Sequence, residues 1–376
     1  AGAETTNNGD RHTQALLDDL GCSQGETDGA GGQRITLYGI LIIFSSVRKA
    51  ICKAGNLDPK NRFCNINLIL KERVFMNVYK VELKSQAYYP IDITDYEKRT
   101  ARRPPWYKTS DNGTPQYFAI CPACNNPVQI IGFYKKLTNT PNPYGKHFGR
   151  PIPGVGIYDR DAYEWCPYSK KNTGDQAERP KREKGYLVEQ ILSLLINHFD
   201  KVAYFISKDS GVSINERIAR NMLLKFRDEE GWLYARATLM NAPWAFLYMT
   251  DNQDIMYTKI LDKSLAATLC ERYPEDLVIN EWGQLKKHPD CKDYVHVGMY
   301  QTKHAHQVLD NELTESMECV FTFKKGSERT HEICRKKITF DYRYFANIIN
   351  FAKWEVTERN QKLLTLANDI LGPRLR

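Results

Sequence analysis

Cys121-Pro-Ala-Cys124 constrains this chain more than any other stretch. It lies in Gln116-Tyr-Phe-Ala-Ile-Cys-Pro-Ala-Cys-Asn-Asn-Pro-Val-Gln-Ile-Ile131. Two cysteines separated by two residues can aim both thiolates at one metal ion. Proline stiffens the turn between them, and Asn125 and Asn126 tolerate the positive φ that a tight knuckle needs. Apolar, β-prone runs flank the pair, Tyr117–Ile120 before it and Val128–Ile131 after it. Strand, knuckle, strand is the first half of a zinc ribbon.

A structural zinc needs four ligands closing a tetrahedron. Downstream, His147 in Tyr-Gly-Lys-His-Phe and Cys166 in Glu-Trp-Cys-Pro-Tyr complete a Cys3His set with Cys121 and Cys124. Trp165-Cys-Pro167 repeats the Cys-Pro turn of the knuckle. The pattern departs from ordinary ribbons, whose second ligand pair is as closely spaced as the first. Cys64 or Asp159 is therefore an alternative for either distal ligand. The plainer reading is a pair of reduced core cysteines beside a turn. A redox Cys-x-x-Cys would place a helix, not a strand, after its first cysteine. The expected role of the zinc is structural.

Tyr117 to Val128, followed by His147-Phe148, resembles the zinc-ribbon modules of CoiA-like competence proteins and other DNA-associated proteins. The resemblance spans residues 116–168 alone. It implies a metal and a nucleic-acid partner.

A second constellation is permissive. His288-Pro-Asp-Cys291 and His331-Glu-Ile-Cys334 share the His-x-x-Cys spacing, and His304, His306 and Cys319 lie in the same region. They allow a second His2Cys2 site or, more plainly, surface histidines and buried cysteines.

The chain has 376 residues, enough for two domains, with 42% apolar residues and 22 tyrosines to build cores. Ten cysteines in this length are not a dense disulfide framework. The first 33 residues are polar, unlike a signal peptide, and Ile35–Phe44 is far shorter than the ~20 residues that span a bilayer. These features predict a soluble, cytoplasmic protein with no membrane partner. A net charge of +8 favours an anionic partner, with DNA expected over RNA. Protein partners are also open.

The pattern along the chain predicts an α+β fold. Residues 1–33 read as a flexible leader. Residues 34–168 read as a mixed N-terminal domain carrying the zinc-ribbon-like module at 116–168. The charged run 169–185 has no apolar period and reads as an exposed linker. Residues 186–376 read as a mainly helical domain with a few strands. Its expected features are an apolar stripe over Leu187, Ile191, Leu195, Phe199 and Val202, and a helix capped at Ser213-Ile-Asn-Glu216. Strands are expected at Glu318–Phe323 and from Arg335, with a last helix over Tyr344–Leu371.

Two surfaces suit nucleic acid. Arg99, Arg102, Arg103, Trp106 and Lys108 interleave cations with a ring on a segment, Tyr96–Lys108, that reads as a loop. Arg217, Arg220 and Asn221 share one face of the Ser213 helix in a helix-turn-helix-like setting. The plainer readings are a solvated loop and an amphipathic helix with arginines outside. A nuclease is the alternative function: Asp58 with Glu82-Leu-Lys84 matches the acidic residue and Glu-x-Lys that hold Mg2+ in many nucleases. No phosphate-binding glycine loop and no Gly-x-Ser-x-Gly occurs. The function expected is a zinc-binding, non-catalytic nucleic-acid-binding protein, as regulator or assembly subunit. A protein-interaction component with a structural zinc is the third reading.

Overall fold

The computed structural model describes residues 75–134, 142–169, 178–309, 312–350 and 359–375. It begins with two short strands, β1 (Val78–Tyr79) and β2 (Tyr89–Pro90), paired antiparallel. Helix α1 (Ile93–Thr100) follows, its first turn capped by Asp92, which accepts the Asp95 amide at 2.8 Å. The start of the expected Tyr96–Lys108 loop is thus helical. Tyr96 decides this: it is buried, and its hydroxyl donates to the Phe118 carbonyl at 2.7 Å.

Four strands then form an antiparallel meander: β3 (Tyr107–Thr109), β4 (Pro115–Ile120), β5 (Pro127–Ile131) and β6 (Tyr144–His147). β4 and β5 are the two strands expected around the knuckle. A short helix, α2 (Arg160–Glu164), is capped by the Asp159 side chain.

The predicted stripe from Leu187 to Val202 is buried throughout, but on two helices, α3 (Tyr186–Asn197) and α4 (Phe199–Ser210), which meet at His198. Helix α5 (Glu216–Asp228) is capped by Asn215, not Ser213, because Asn215 Oδ1 accepts the Ile218 amide at 3.0 Å. Helix α6 (Ala242–Tyr248) tolerates Pro243 in its first turn, where an N–H has no helical partner.

The strands expected at Glu318–Phe323 and from Arg335 lie in a four-stranded antiparallel sheet beside the helices of the second half. Its order is β12 (His331–Thr339), β11 (Glu312–Lys325), β10 (Val295–Leu309) and β7 (Gln253–Asp254). β10 escapes a periodicity search because it carries Gln301 and His304 into the core, where each finds a polar partner. Helix α7 (Lys263–Arg272) and the hairpin β8 (Leu277–Ile279) with β9 (Leu285–Lys287) lie between β7 and β10 in sequence. The last expected helix is two described helices, α8 (Tyr342–Asn350) and α9 (Gln361–Leu371).

One apolar cluster joins Met76, Cys121 and Cys166 to Leu187, Trp244, Phe340 and Leu371. The described residues accordingly gather into one compact unit. Of the stretch expected as an exposed linker, residues 178–185 are described, and they dock on this unit. The Arg182 amide donates to the Leu233 carbonyl and the Ala235 amide to the Pro180 carbonyl, each at 2.7 Å. Pro180 and Arg182 are buried on either side of exposed Lys181, an alternation hidden by the charge of the run.

Candidate metal centre

The knuckle is a tight turn between β4 and β5. The Cys121 amide donates to the Asn126 carbonyl at 2.9 Å, and the Asn125 amide donates back to the Cys121 carbonyl at 3.0 Å. Asn125 takes a φ of 59°, the left-handed conformation its short polar side chain tolerates. His147 ends β6 directly opposite Val128, so the meander carries it back to the knuckle. Cys166 follows α2, its amide bonded to the Tyr163 carbonyl at 3.1 Å.

Three chain segments therefore converge. The ligand atoms of Cys121, Cys124, His147 and Cys166 all lie within 4.8 Å of one another. Cys121 and Cys166 have sulfurs 3.8 Å apart, and Cys124 Sγ lies 3.3 Å from His147 Nε2. A tetrahedral zinc with Zn–S bonds of 2.3 Å holds its sulfurs about 3.8 Å apart. The spacing fits, and the three cysteines are buried.

Surrounding groups orient the ligands. Asn126 Nδ2 donates to Cys124 Sγ at 3.4 Å and to the Asp159 carbonyl at 3.0 Å. Asn126 Oδ1 accepts the Asp159 amide at 2.7 Å. Asp159 is thus spent on fixing Asn126 and capping α2, and Cys166, to which it was an alternative, is the residue that joins the cluster. Cys64, the other alternative, lies outside the described residues. The Tyr163 ring meets the His147 ring edge-on with centroids 5.0 Å apart.

The four side chains shift one another's protonation. Burial pushes the thiols of Cys121 and Cys166 up. Burial acts the same way on Cys124, but hydrogen bonds from Cys121 and Cys166 and the charge of His147 outweigh it and bring this thiol well below its usual range. Burial would lower His147, yet the Cys124 and Cys121 thiolates raise it well above its usual value.

Two buried cations stand by. Lys80 is lowered to about 8 by burial, against the pull of Cys121 and Cys124, and its Nζ donates to the Leu83 and Ser85 carbonyls at 3.2 Å each. Arg182 is lowered to about 10 by burial, against the charges of Asp161, Cys124, Asp159 and Cys166. It donates to the Ala235 and Ala237 carbonyls, the latter at 2.6 Å. Zinc with three thiolates and a neutral imidazole carries one net negative charge, which such cations offset. Sequence reading missed both. Lys80 sits in an ordinary alternating run, and Arg182 looks like one more charge in a linker.

The other singled-out residues do not converge this way. Cys291 donates to Asp276 Oδ1 at 3.3 Å, and His288 Nδ1 lies 3.7 Å from Asp290. His331 and Cys334 sit in β12 opposite Phe323 and Phe321. Among the described residues, Cys121, Cys124, His147 and Cys166 form the one group of three or more such ligands. Glu82 and Lys84 are exposed on an irregular segment instead of a strand, and Asp58 lies outside the described residues.

On α1, Arg99 pairs with Asp95 at 2.8 Å and lies 3.2 Å over the Tyr89 ring. Arg102 pairs with Glu97 at 3.6 Å. Arg103 is exposed, and Lys108 is half-buried in β3. Trp106 packs inward against two small apolar clusters. On α5, Arg217 donates to the Asp254 and Met256 carbonyls at 3.1 and 2.7 Å. Arg220 lies 4.0 Å from Glu216 and is exposed, as is Asn221.

No helix among the described residues is long and apolar enough to cross a membrane. No protein family, curated protein or solved structure matches this chain.

Proposed function

We propose that Cys121, Cys124, His147 and Cys166 hold one structural zinc ion, and that the protein is a non-catalytic nucleic-acid-binding protein built around it. The observation that carries the zinc is the convergence of three buried sulfurs and one imidazole within 4.8 Å. A set of three thiolates and an imidazole is a closed structural site, without the water-bearing position of a catalytic zinc. None of the seven described cysteines is in a disulfide, in keeping with the reducing, cytoplasmic setting in which zinc thiolates persist.

The nucleic-acid partner is supported by the net charge of +8, by the resemblance of the module to DNA-associated ribbons, and by exposed Arg103, Arg220 and Asn221. The protein would act as a regulator or assembly subunit. Metal analysis of purified protein is expected to find about one zinc per chain. A chain that folds and stays soluble with far less zinc overturns the metal reading. Binding to DNA is expected to weaken steeply with salt and with Arg102→Glu plus Arg103→Glu. Binding indifferent to salt overturns the partner.

A further inference from the structure

Three exposed apolar side chains are carried by one short backbone ladder. Tyr257, Leu261 and Trp282 are 62%, 45% and 65% exposed. They lie on segment 257–261 and on the β8–β9 hairpin, which are joined by backbone bonds. The Tyr257 amide donates to the Leu285 carbonyl at 2.8 Å, the Leu285 amide to Thr258 at 2.9 Å and the Ile260 amide to Gly283 at 2.9 Å. Lys259 pairs with Gln284 across this ladder, and Val278 pairs with Lys286. Alternation sets Lys259, Gln284 and Lys286 on one face, while Ile260 and Leu285 are buried on the other. Atoms of the Lys259 stem pass 3.6 Å from where a Gly283 Cβ would sit, next to Trp282 in sequence.

The turn that carries Trp282 is fixed by backbone and side-chain bonds. Asn280 Oδ1 accepts the Trp282 amide at 3.1 Å and the Gln284 amide at 2.8 Å. Gly283 supplies the φ of 78° that closes the turn. The ring is held out in solvent, where it adds little to the core. Neither Lys259 nor Lys286 is ion-paired with a described residue. One exposed carboxylate, Glu281, shares the turn.

We propose that this face binds single-stranded nucleic acid, with Trp282 and Tyr257 stacking on unpaired bases and Lys259 and Lys286 meeting phosphates. This rests on the nucleic-acid function proposed above and names a surface for it. Rings this exposed are best covered by flat faces. A duplex keeps its base faces stacked on one another, whereas a single strand offers them. Protein interfaces enrich rings but deplete lysine, so rings flanked by unpaired lysines suit a polyanion better than a protein.

Anisotropy of labelled oligo(dT), oligo(U) and a duplex with the full-length protein, at low and raised salt, tests this. Wild type is expected to prefer the single strands. Trp282→Ala and Tyr257→Asn are each expected to weaken single-strand binding about tenfold, the loss of one stacked base. Asparagine suits the φ of 61° at position 257. Lys259→Gln with Lys286→Gln is expected to flatten the salt dependence, and Tm to stay unchanged in each variant. Should Tyr257→Asn lower Tm, Trp282→Ala and an intermediate Trp282→Phe carry the test. If the ring variants bind as tightly as wild type while Arg102→Glu plus Arg103→Glu abolishes binding, this surface is overturned and the nucleic-acid function stands. Preference for the duplex also overturns the surface. If wild type binds no oligonucleotide, both readings fall, including when a protein partner is instead released by the ring variants.

Discussion

Charge governs the centre at the residue scale. Three thiolates around the proposed ion would need cations nearby, and Lys80 and Arg182 are buried where they would supply them. Cys166→Ser is expected to drop bound zinc well below one per chain and to cost more than about 3 kcal/mol in urea denaturation. Retention of full zinc in that variant would mean Cys166 is no ligand. Lys80→Met keeps the aliphatic stem and removes the charge. It is expected to weaken zinc binding about 10–100-fold in competition with a chelator, as changes to groups around a metal's ligands typically do. Unchanged affinity would show that Lys80 serves only the Leu83 and Ser85 carbonyls. The ligands were legible because Cys and His advertise their chemistry by type and spacing. The cations were not, since a lysine's burial depends on what folds over it.

At the element scale, the junction of α3 and α4 is the sharpest departure from the expected pattern. The apolar stripe runs through it unbroken, yet the helix axis stops at His198. Burial, helped by the charges of Lys201 and Arg359, lowers this imidazole from 6.5 to about 4. Between those values the unfolded chain binds a proton that the folded protein does not. Stability is therefore fully present above about pH 6.5 and falls as pH drops toward about 4. The ring is only part-buried, so solvent screening trims the effect to about 2 kcal/mol. His198→Asn is expected to remove that slope. Urea denaturation of both proteins across the window, read as a difference so that acid loss of zinc cancels, checks it. Equal slopes would count against His198 as the titrating group. α5 shows the same limit of sequence reading. Its apolar stripe was visible, but Arg217, placed on a DNA-reading face, turns to the carbonyls of Asp254 and Met256.

For the whole molecule, the metal module and the helical half share a core. The Leu239 amide donates to the Ala123 carbonyl at 3.3 Å, and Asn125 Nδ2 donates to Gln190 on α3. Chelating the zinc is therefore expected to unfold both parts in one cooperative transition, seen together by near- and far-UV circular dichroism. Two separated transitions would show a module that folds alone. The sheet side is held by a buried polar network. Tyr234 Oη lies 2.8 Å from His304 Nδ1, His304 Nε2 lies 3.0 Å from Glu315 Oε2, and Asn241 Nδ2 donates to the same oxygen at 2.7 Å. Glu315→Ala removes the buried partner of His304 Nε2 and of one Asn241 N–H and is expected to cost about 3–5 kcal/mol. Glu315→Gln keeps an acceptor and should cost less. Equal, small losses from both in urea denaturation would show that the network is dispensable.

By itself, the sequence determined which four side chains have the chemistry of a zinc site, and where strands and an asparagine turn would present the first two. Local propensity and residue type suffice for that, because each is a property of a few neighbouring residues. Only the tertiary structure decided that His147 and Cys166 reach the knuckle. It also decided that Lys80 and Arg182 are buried beside it, and that the charged stretch before α3 is docked. Those facts depend on how segments far apart in the chain pack, and burial of a charge leaves no local mark in its own residues.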